Sequence, residues 1–212
     1  DPILAPLAPG QVMRIGPIAG TGTPTRDYGI GATDLCEFME FPTELLQICG
    51  GDSFAGQGVG FGGWFSPVAL RVAGDSVDDP PDGIRYTGVV GVDKPLLADP
   101  PAAGRFAAAA GGVVQINRQN YLLVTTTKDL VPQTSRLVKA VAGQGGWQTV
   151  AGSQRAASYA GGRQTQISGY YDPIPTPDSQ TGWVYIVANN FDRSGPVTLY
   201  RATRENFTDR AR

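Results

Sequence analysis

The sequence predicts an all-β fold, more narrowly a β-propeller whose ring is incomplete within residues 1–212, and three observations carry this. The first is composition: 29 glycines and 17 prolines in 212 residues, with 17% charged, make a turn-rich, charge-poor chain with almost no helical periodicity. The second is a recurring unit of strand, loop and returning strand, in which a leucine is followed closely by Lys or Arg. LLQICG leads to SPVALRV, YLLVTTT to SRLVKAV, and WVYIVAN to PVTLYRAT. The third is spacing: the units recur at roughly 65–75 residues, which suits a four-stranded blade with its loops. A β-sandwich is the alternative, but it does not require three similar units. Three such units exhaust the residues, whereas a propeller closes with at least four blades. Further chain segments or subunits are therefore expected to complete the ring.

The elements follow in order. Residues 1–15 (DPILAPLAPG onward) read as an extended, Pro-punctuated arm that packs on a neighbour or on the domain surface. Residues 16–212 read as the blades. A short edge strand is expected over residues 12–15 and Ile18. Two alternating runs, residues 32–41 and 45–49, flank a turn at residues 42–44 and read as a hairpin. Residues 56–63 form a Gly-rich loop, and residues 67–72 return as a strand. The acidic, Pro-rich stretch DSVDDPPD (75–82) reads as a solvated turn, with a calcium loop as the alternative. Residues 84–92 read as a strand. Residues 102–110 suit a short helix by their alanines, but Gly104, Gly111 and Gly112 argue for a loop or a small-residue strand.

Composition also excludes function classes. The net charge of −2 offers no basic face for nucleic acid. No apolar run approaches the roughly 20 residues of a membrane span. There is no signal peptide and no initiator Met, so the chain is expected to be processed or a piece of something longer. It has no histidine. That removes Ser–His–Asp and Cys–His catalysis and imidazole-bound zinc, and two cysteines cannot form a four-thiolate site. Acid–base chemistry falls to Asp, Glu, Tyr, Lys or Arg. No cofactor is implied, and an oxygen-ligated calcium stays open.

Within the first hairpin Asp34 and Asp52 stand at the outer ends of the two runs, facing each other across one open end. Gly50 and Gly51 leave room beside them for a close ligand. Aspartates in loops also cap turns by bonding backbone amides. Cys36 and Cys49 fall within a residue of facing each other. A disulfide is within reach there, although one residue of register moves a side chain to the other face. Aromatic faces near carboxylates suit sugars, which singles out Trp64 and, after another Gly-rich segment, Trp147. Tyr170, Tyr171 and Asp172, ahead of a Pro-rich loop, are candidates for a sugar groove, with core packing the alternative. Trp183 begins an alternating strand and reads as core. Arg85 and Arg136 are either surface residues or hydroxyl binders.

The stretches TDLCEF…ICGGDSF…WFSPVALRV and YYDPIPTPDSQTGWVYIVANNFDRSGPVTLYR resemble the endo-D-arabinofuranase family of actinobacteria and mycobacteriophages, glycoside hydrolase family 183, formerly classed as a domain of unknown function. The resemblance spans about residues 16–207. It implies a five-bladed propeller that cleaves the D-arabinan of mycobacterial arabinogalactan and lipoarabinomannan. It also implies an extracellular, secreted or virion-surface location and a polysaccharide partner. The family's paired acids, in a TD segment and a GDSF-type segment, fall on Asp34 and Asp52. One carboxylic acid would protonate the leaving oxygen while the other activates water or attacks the anomeric carbon. The glycines around Asp52 favour the wider, inverting separation. A module of a different class, a carbohydrate-binding or structural propeller of a phage tail tip, is the alternative function.

Overall fold

The computed structural model describes residues 6–20, 22–78, 83–97, 106–141 and 146–210. The chain divides into two units, Asp1–Lys94 and Pro95–Arg212. Each has its own hydrophobic core. The structure is nearly all β, 44% strand and 7% helix, in several antiparallel sheets of which none closes on itself.

In the first unit a 3-10 turn, Pro24–Tyr28, precedes the strands. β1 (Cys36–Glu40) and β2 (Leu45–Cys49) form the expected hairpin, closed where the Phe41 N–H donates to the Glu44 carbonyl at 2.8 Å. β3 (Ser53–Phe54) and β4 (Trp64–Phe65) form a second, shorter hairpin. β5 (Val68–Val72), the one-turn helix α1 (Asp75–Asp78) and β6 (Tyr86–Val90) complete the unit. The main sheet has the order β1-β2-β5-β6. It is an antiparallel meander, with the β3–β4 hairpin inserted between its second and third strands. Alternation along β5 turns Val68, Leu70 and Val72 into a core shared with Ile30, Cys49 and Tyr86. Arg71 points outward and pairs with Glu44.

Two expectations for this unit change. Residues 11–18 form no strand, and Val12 is 94% exposed. Among the described residues no strand pairs with them. The acidic stretch opens as α1; Arg85 is exposed, as the surface reading has it, and pairs there with Asp75. Residues 79–82 lie outside the described residues, and the calcium-loop reading with them. Among the described residues no helix is long and apolar enough to cross a membrane, and no cluster of three or more metal-ligating side chains forms.

The second unit runs β7 (Phe106–Ile116), β8 (Gln119–Lys128), β9 (Val131–Val141), β10 (Gly146–Thr149), β11 (Arg155–Ala156), a 3-10 turn at Tyr159–Gly162, then β12 (Gln166–Asp172), β13 (Trp183–Asn189) and β14 (Thr198–Thr203). The stretch that suited either a short helix or a small-residue strand is strand from Phe106 on. Two-residue turns join β7 to β8 and β8 to β9. Asn117, Arg118, Asp129 and Leu130 take positive φ there, as tight hairpins with right-handed twist require. The sheets are β10-β9-β8-β7, with β11 also on β9, and β12-β13-β14.

Ile167, Val184 and Ala188 from the smaller sheet share a core with Val114, Ile116, Leu123 and Leu137 from the larger. The approach is close where β12 meets β7: a Cβ on Gly169 would lie 2.6 Å from Val114 Cγ2. Arg136, expected at the surface or on hydroxyls of a ligand, is buried on β9 and donates to Thr126 Oγ1 at 3.0 Å. The repeated unit of the sequence has a structural counterpart. β2–β5, β8–β9 and β13–β14 are each adjacent antiparallel strands of a meander.

Candidate active site

The hairpin register determines where the two aspartates meet. Cys36 pairs with Cys49, and beyond it Ala32 bridges Phe54. Between these pairs the first segment advances four residues and the second advances five. One extra residue therefore sits on the glycine side, as in a β-bulge, where two residues of one strand oppose one of the other. Asp34 lies opposite Gly51 by the inner register and opposite Asp52 by the outer. Glycine at 51 gives Asp34 its place: a Cβ there would stand 1.8 Å from Asp34 Oδ1. The hydroxyls of Thr33 and Ser53 hydrogen-bond at 2.7 Å, tying the segments together beside the aspartates. Both Asp34 and Asp52 are solvent-exposed, whereas Ser53 is fully buried. Strand alternation thus sends the hydroxyl pair inward and the carboxylates outward.

The inserted hairpin brings an aromatic to the same place. Phe54 pairs with Trp64, and the loop between them is closed by Ala55 N–H to Gly63 O at 2.9 Å and Gly56 N–H to Phe61 O at 2.8 Å. Trp64 Nε1–H donates to Asp52 Oδ1 at 2.8 Å, and the residue stays 44% exposed. Val59 and Phe61 on the loop are exposed as well. On the other side of the aspartates, Cys36 and Cys49 form a disulfide, with Cα atoms 3.9 Å apart. Of the two outcomes open for this pair, the structure takes the bridge.

The remaining candidates lie in the second unit. Tyr170 and Tyr171 are adjacent on β12 and so face opposite ways. Tyr170 is 67% exposed, while Tyr171 packs on the core and donates its hydroxyl to Thr181 O at 2.8 Å. Tyr171 thus takes the packing alternative of its two readings. Asp172 accepts from the Ile174 N–H at 3.0 Å, the local turn-capping role of a loop aspartate. Trp147 is half-buried on β10, the edge strand farthest from β7 in its sheet. Trp183, expected in the core, is half-buried; its Nε1–H donates to Thr176 Oγ1 and the Arg201 guanidinium sits 4.1 Å above its ring.

Three features of the site escaped the sequence: the Thr33–Ser53 pair, the steric demand at Gly51 and the bond from Trp64 to Asp52. The run of small residues around Asp52, GGDS, is the signal for the first two. The third needed the closure of β3 on β4, two-residue strands too short to leave a periodic pattern. What the residues assemble is a pair of exposed carboxylates on adjoining segments with the N–H edge of an indole on one of them. Such a set can give and take protons next to a polyhydroxyl ligand.

Residues 19–212 match the family described as "Domain of unknown function (DUF4185)". The chain is 72% identical over 200 residues to "Uncharacterized 35.9 kDa protein in asd 3'region" of Mycolicibacterium smegmatis. That alignment covers 94% of this chain and 59% of the relative, so the chain spans less than two thirds of the relative's length.

Proposed function

This chain belongs to the DUF4185 family, and we propose that it acts as an endo-D-arabinanase, a glycoside hydrolase that cleaves cell-wall arabinan with Asp34 and Asp52 as its acid–base or acid–nucleophile pair. The observation that supports this most is the juxtaposition of two exposed carboxylates across the bulge at Gly51, with the Trp64 ring against one of them. Glycosidases place two carboxyl groups about 5–9.5 Å apart around the scissile bond. Facing positions on neighbouring antiparallel segments fall in that reach. Without histidine in the chain, the proton work falls to carboxyl groups, the pair of side chains that glycosidases use. The proposal carries with it a five-bladed propeller, completed by residues beyond these or by other subunits, and an extracellular or virion-surface location where arabinan is met.

The test is incubation with purified mycobacterial arabinogalactan and chromatography of the products. Release of oligosaccharides by the parent is expected. Asp34→Asn and Asp52→Asn should each fold normally and cut slower by about 10²–10⁴-fold, the usual contribution of general acid–base help. Parental rates in both variants would remove the assignment. The solvent face of the β12–β14 sheet, where Tyr170, Tyr185 and Arg201 align across three strands, favours a second reading as a carbohydrate-binding module. Arabinan binding without any release is the outcome that supports it.

A further inference from the structure

Trp64 differs from the other candidate aromatics in being tied to one of the two carboxylates. We infer that Trp64 is the positioning residue of Asp52: its Nε1–H holds Oδ1, so that Oδ2 faces the ligand, while its exposed ring supports the sugar next to that oxygen. This rests on the reading of Asp34 and Asp52 as the reacting pair.

The reason lies in how the two aspartates are held. Asp34 lies directly against the Gly51 backbone, in the space that a Cβ at position 51 would take. Asp52 is exposed and follows Gly50 and Gly51 in the bulge, so its immediate chain neighbours on that side offer no side-chain packing. An exposed Asp side chain samples several rotamers, whereas a reacting group must be held within about 0.5 Å and 10–20° of its working geometry. A hydrogen bond to a charged group is stronger than one between neutral groups and favours the rotamer that makes it. Trp64 can supply that restraint because its own backbone is fixed by pairing with Phe54, and by the Ala55–Gly63 bond next to it. The hairpin that carries it is inserted between the second and third strands of its sheet. The corresponding connection in the β7–β10 sheet is the two-residue turn Asp129–Leu130. Were the ring needed only as a platform, phenylalanine would serve equally; the indole N–H is what separates the two roles.

Two measurements decide this. The chain has three tryptophans, hence three indole N–H resonances in a nitrogen-edited NMR spectrum. Asp52→Ala should move one of them, the same one that Trp64→Phe deletes, and Asp34→Asn should leave it nearly in place. If that resonance is unchanged in Asp52→Ala, the bond does not exist in solution and the inference falls. In arabinan cleavage, Trp64→Phe should lower kcat roughly 10–100-fold with KM within about threefold, since small misplacement of a reacting group has effects of this size. Trp64→Ala should lower kcat as much and also raise KM. A parental kcat in Trp64→Phe overturns the positioning role, and equal KM values for the two variants overturn the platform role. A parent chain that releases nothing from arabinan overturns the hydrolase reading instead, and the resonance test still decides whether Trp64 holds Asp52.

Discussion

Asp34 Oδ1 occupies the space that the side chain of any residue but glycine would need at position 51. The separation from an ideal Cβ there is 1.8 Å, and Leu35 Cδ1 would be only 3.2 Å away. Asp34 is exposed, so a methyl group at position 51 displaces its carboxylate toward solvent rather than into the core. Gly51 has no positive φ, so alanine fits its backbone. Gly51→Ala should therefore lower the unfolding free energy by no more than about 1 kcal/mol, the centre of the range for single substitutions. It should nonetheless lower arabinan cleavage by at least about tenfold, because the displaced carboxylate leaves its working geometry. Urea denaturation together with product chromatography checks both halves. Full activity in Gly51→Ala would mean that the position of Asp34 is immaterial.

The Cys36–Cys49 bridge closes a short loop, 13 residues in sequence, around the β1–β2 turn. Cys49 is completely buried in the core with Ile30 and Val68, while Cys36 is half-buried. Loops of this size give roughly 3 kcal/mol in the chain-entropy account. The double variant Cys36→Ala/Cys49→Ala should lose about 2–4 kcal/mol of unfolding free energy. Mass spectrometry of the unreduced protein should find no alkylatable thiol. Two such thiols would show that the bridge does not form.

Much of this arrangement was legible from side-chain period and turn residues. The β1–β2 hairpin, β5, β8, β13 and the all-β class follow from alternation bounded by Gly and Pro, a signal that survives because each strand has one face in a core. The aspartate pair was legible for the same reason, since a hairpin turn fixes which residues face each other. What failed was whatever depends on a partner far along the chain. Residues 12–15 have the pattern of an edge strand but no strand to join. The parity of Tyr170 and Tyr171 was visible, yet which of them faces inward is decided by β7 packing on β12 at Gly169. Arg136 looked like a surface residue because nothing local reveals that Thr126 receives its guanidinium on the neighbouring strand. Residues 102–110 read ambiguously because alanine favours helix while Gly104, Gly111 and Gly112 argue against it; from Phe106 on they belong to β7. Pairing with β8 along its length settles the matter.

The phenol of Tyr86 gives the first unit a pH dependence. Its hydroxyl donates to the buried Gln47 Oε1, and only 7% of the residue is exposed. Burial pushes its pKa up from 10.0 to about 12. A folded-state value above the unfolded one means that the folded chain binds more protons in between. The stabilisation is complete below pH 10 and is lost as the pH rises through 12. Two pH units correspond to roughly 2–3 kcal/mol. Denaturation of the first unit, followed at pH 9 and pH 12, should show that loss in the parent. Tyr86→Phe should be less stable at pH 9 but should lack the Tyr86 share of the alkaline drop. An equal drop in both proteins would place its origin elsewhere.

Arg210 fastens the last described residues of the second unit. It is 8% exposed. Its Nη1 donates to Ser153 O at 3.3 Å, and its Nη2 to Ser135 Oγ at 3.2 Å and to Gln164 O at 3.5 Å. Its own carbonyl accepts from Arg155 Nε. Burial, and then the charge of Arg155, lower the guanidinium to about 10, which still leaves it protonated at neutral pH. A planar fork reaches acceptors on three segments at once; a lysine ammonium on its single stem does not. Arg210→Ala leaves those acceptors without their donor and should cost about 2–4 kcal/mol, as loss of hydrogen bonds to a buried charged group does. Arg210→Lys should recover less than half of it. Phe207, buried edge-on against Tyr121 with ring centroids 5.6 Å apart, depends on the same segment. Amide exchange in residues 204–210 should therefore speed up in both variants while β13, the central strand of its sheet, stays protected. If Arg210→Lys matches the parent in denaturation and in exchange, the fork geometry contributes nothing and a single positive charge is all the position requires.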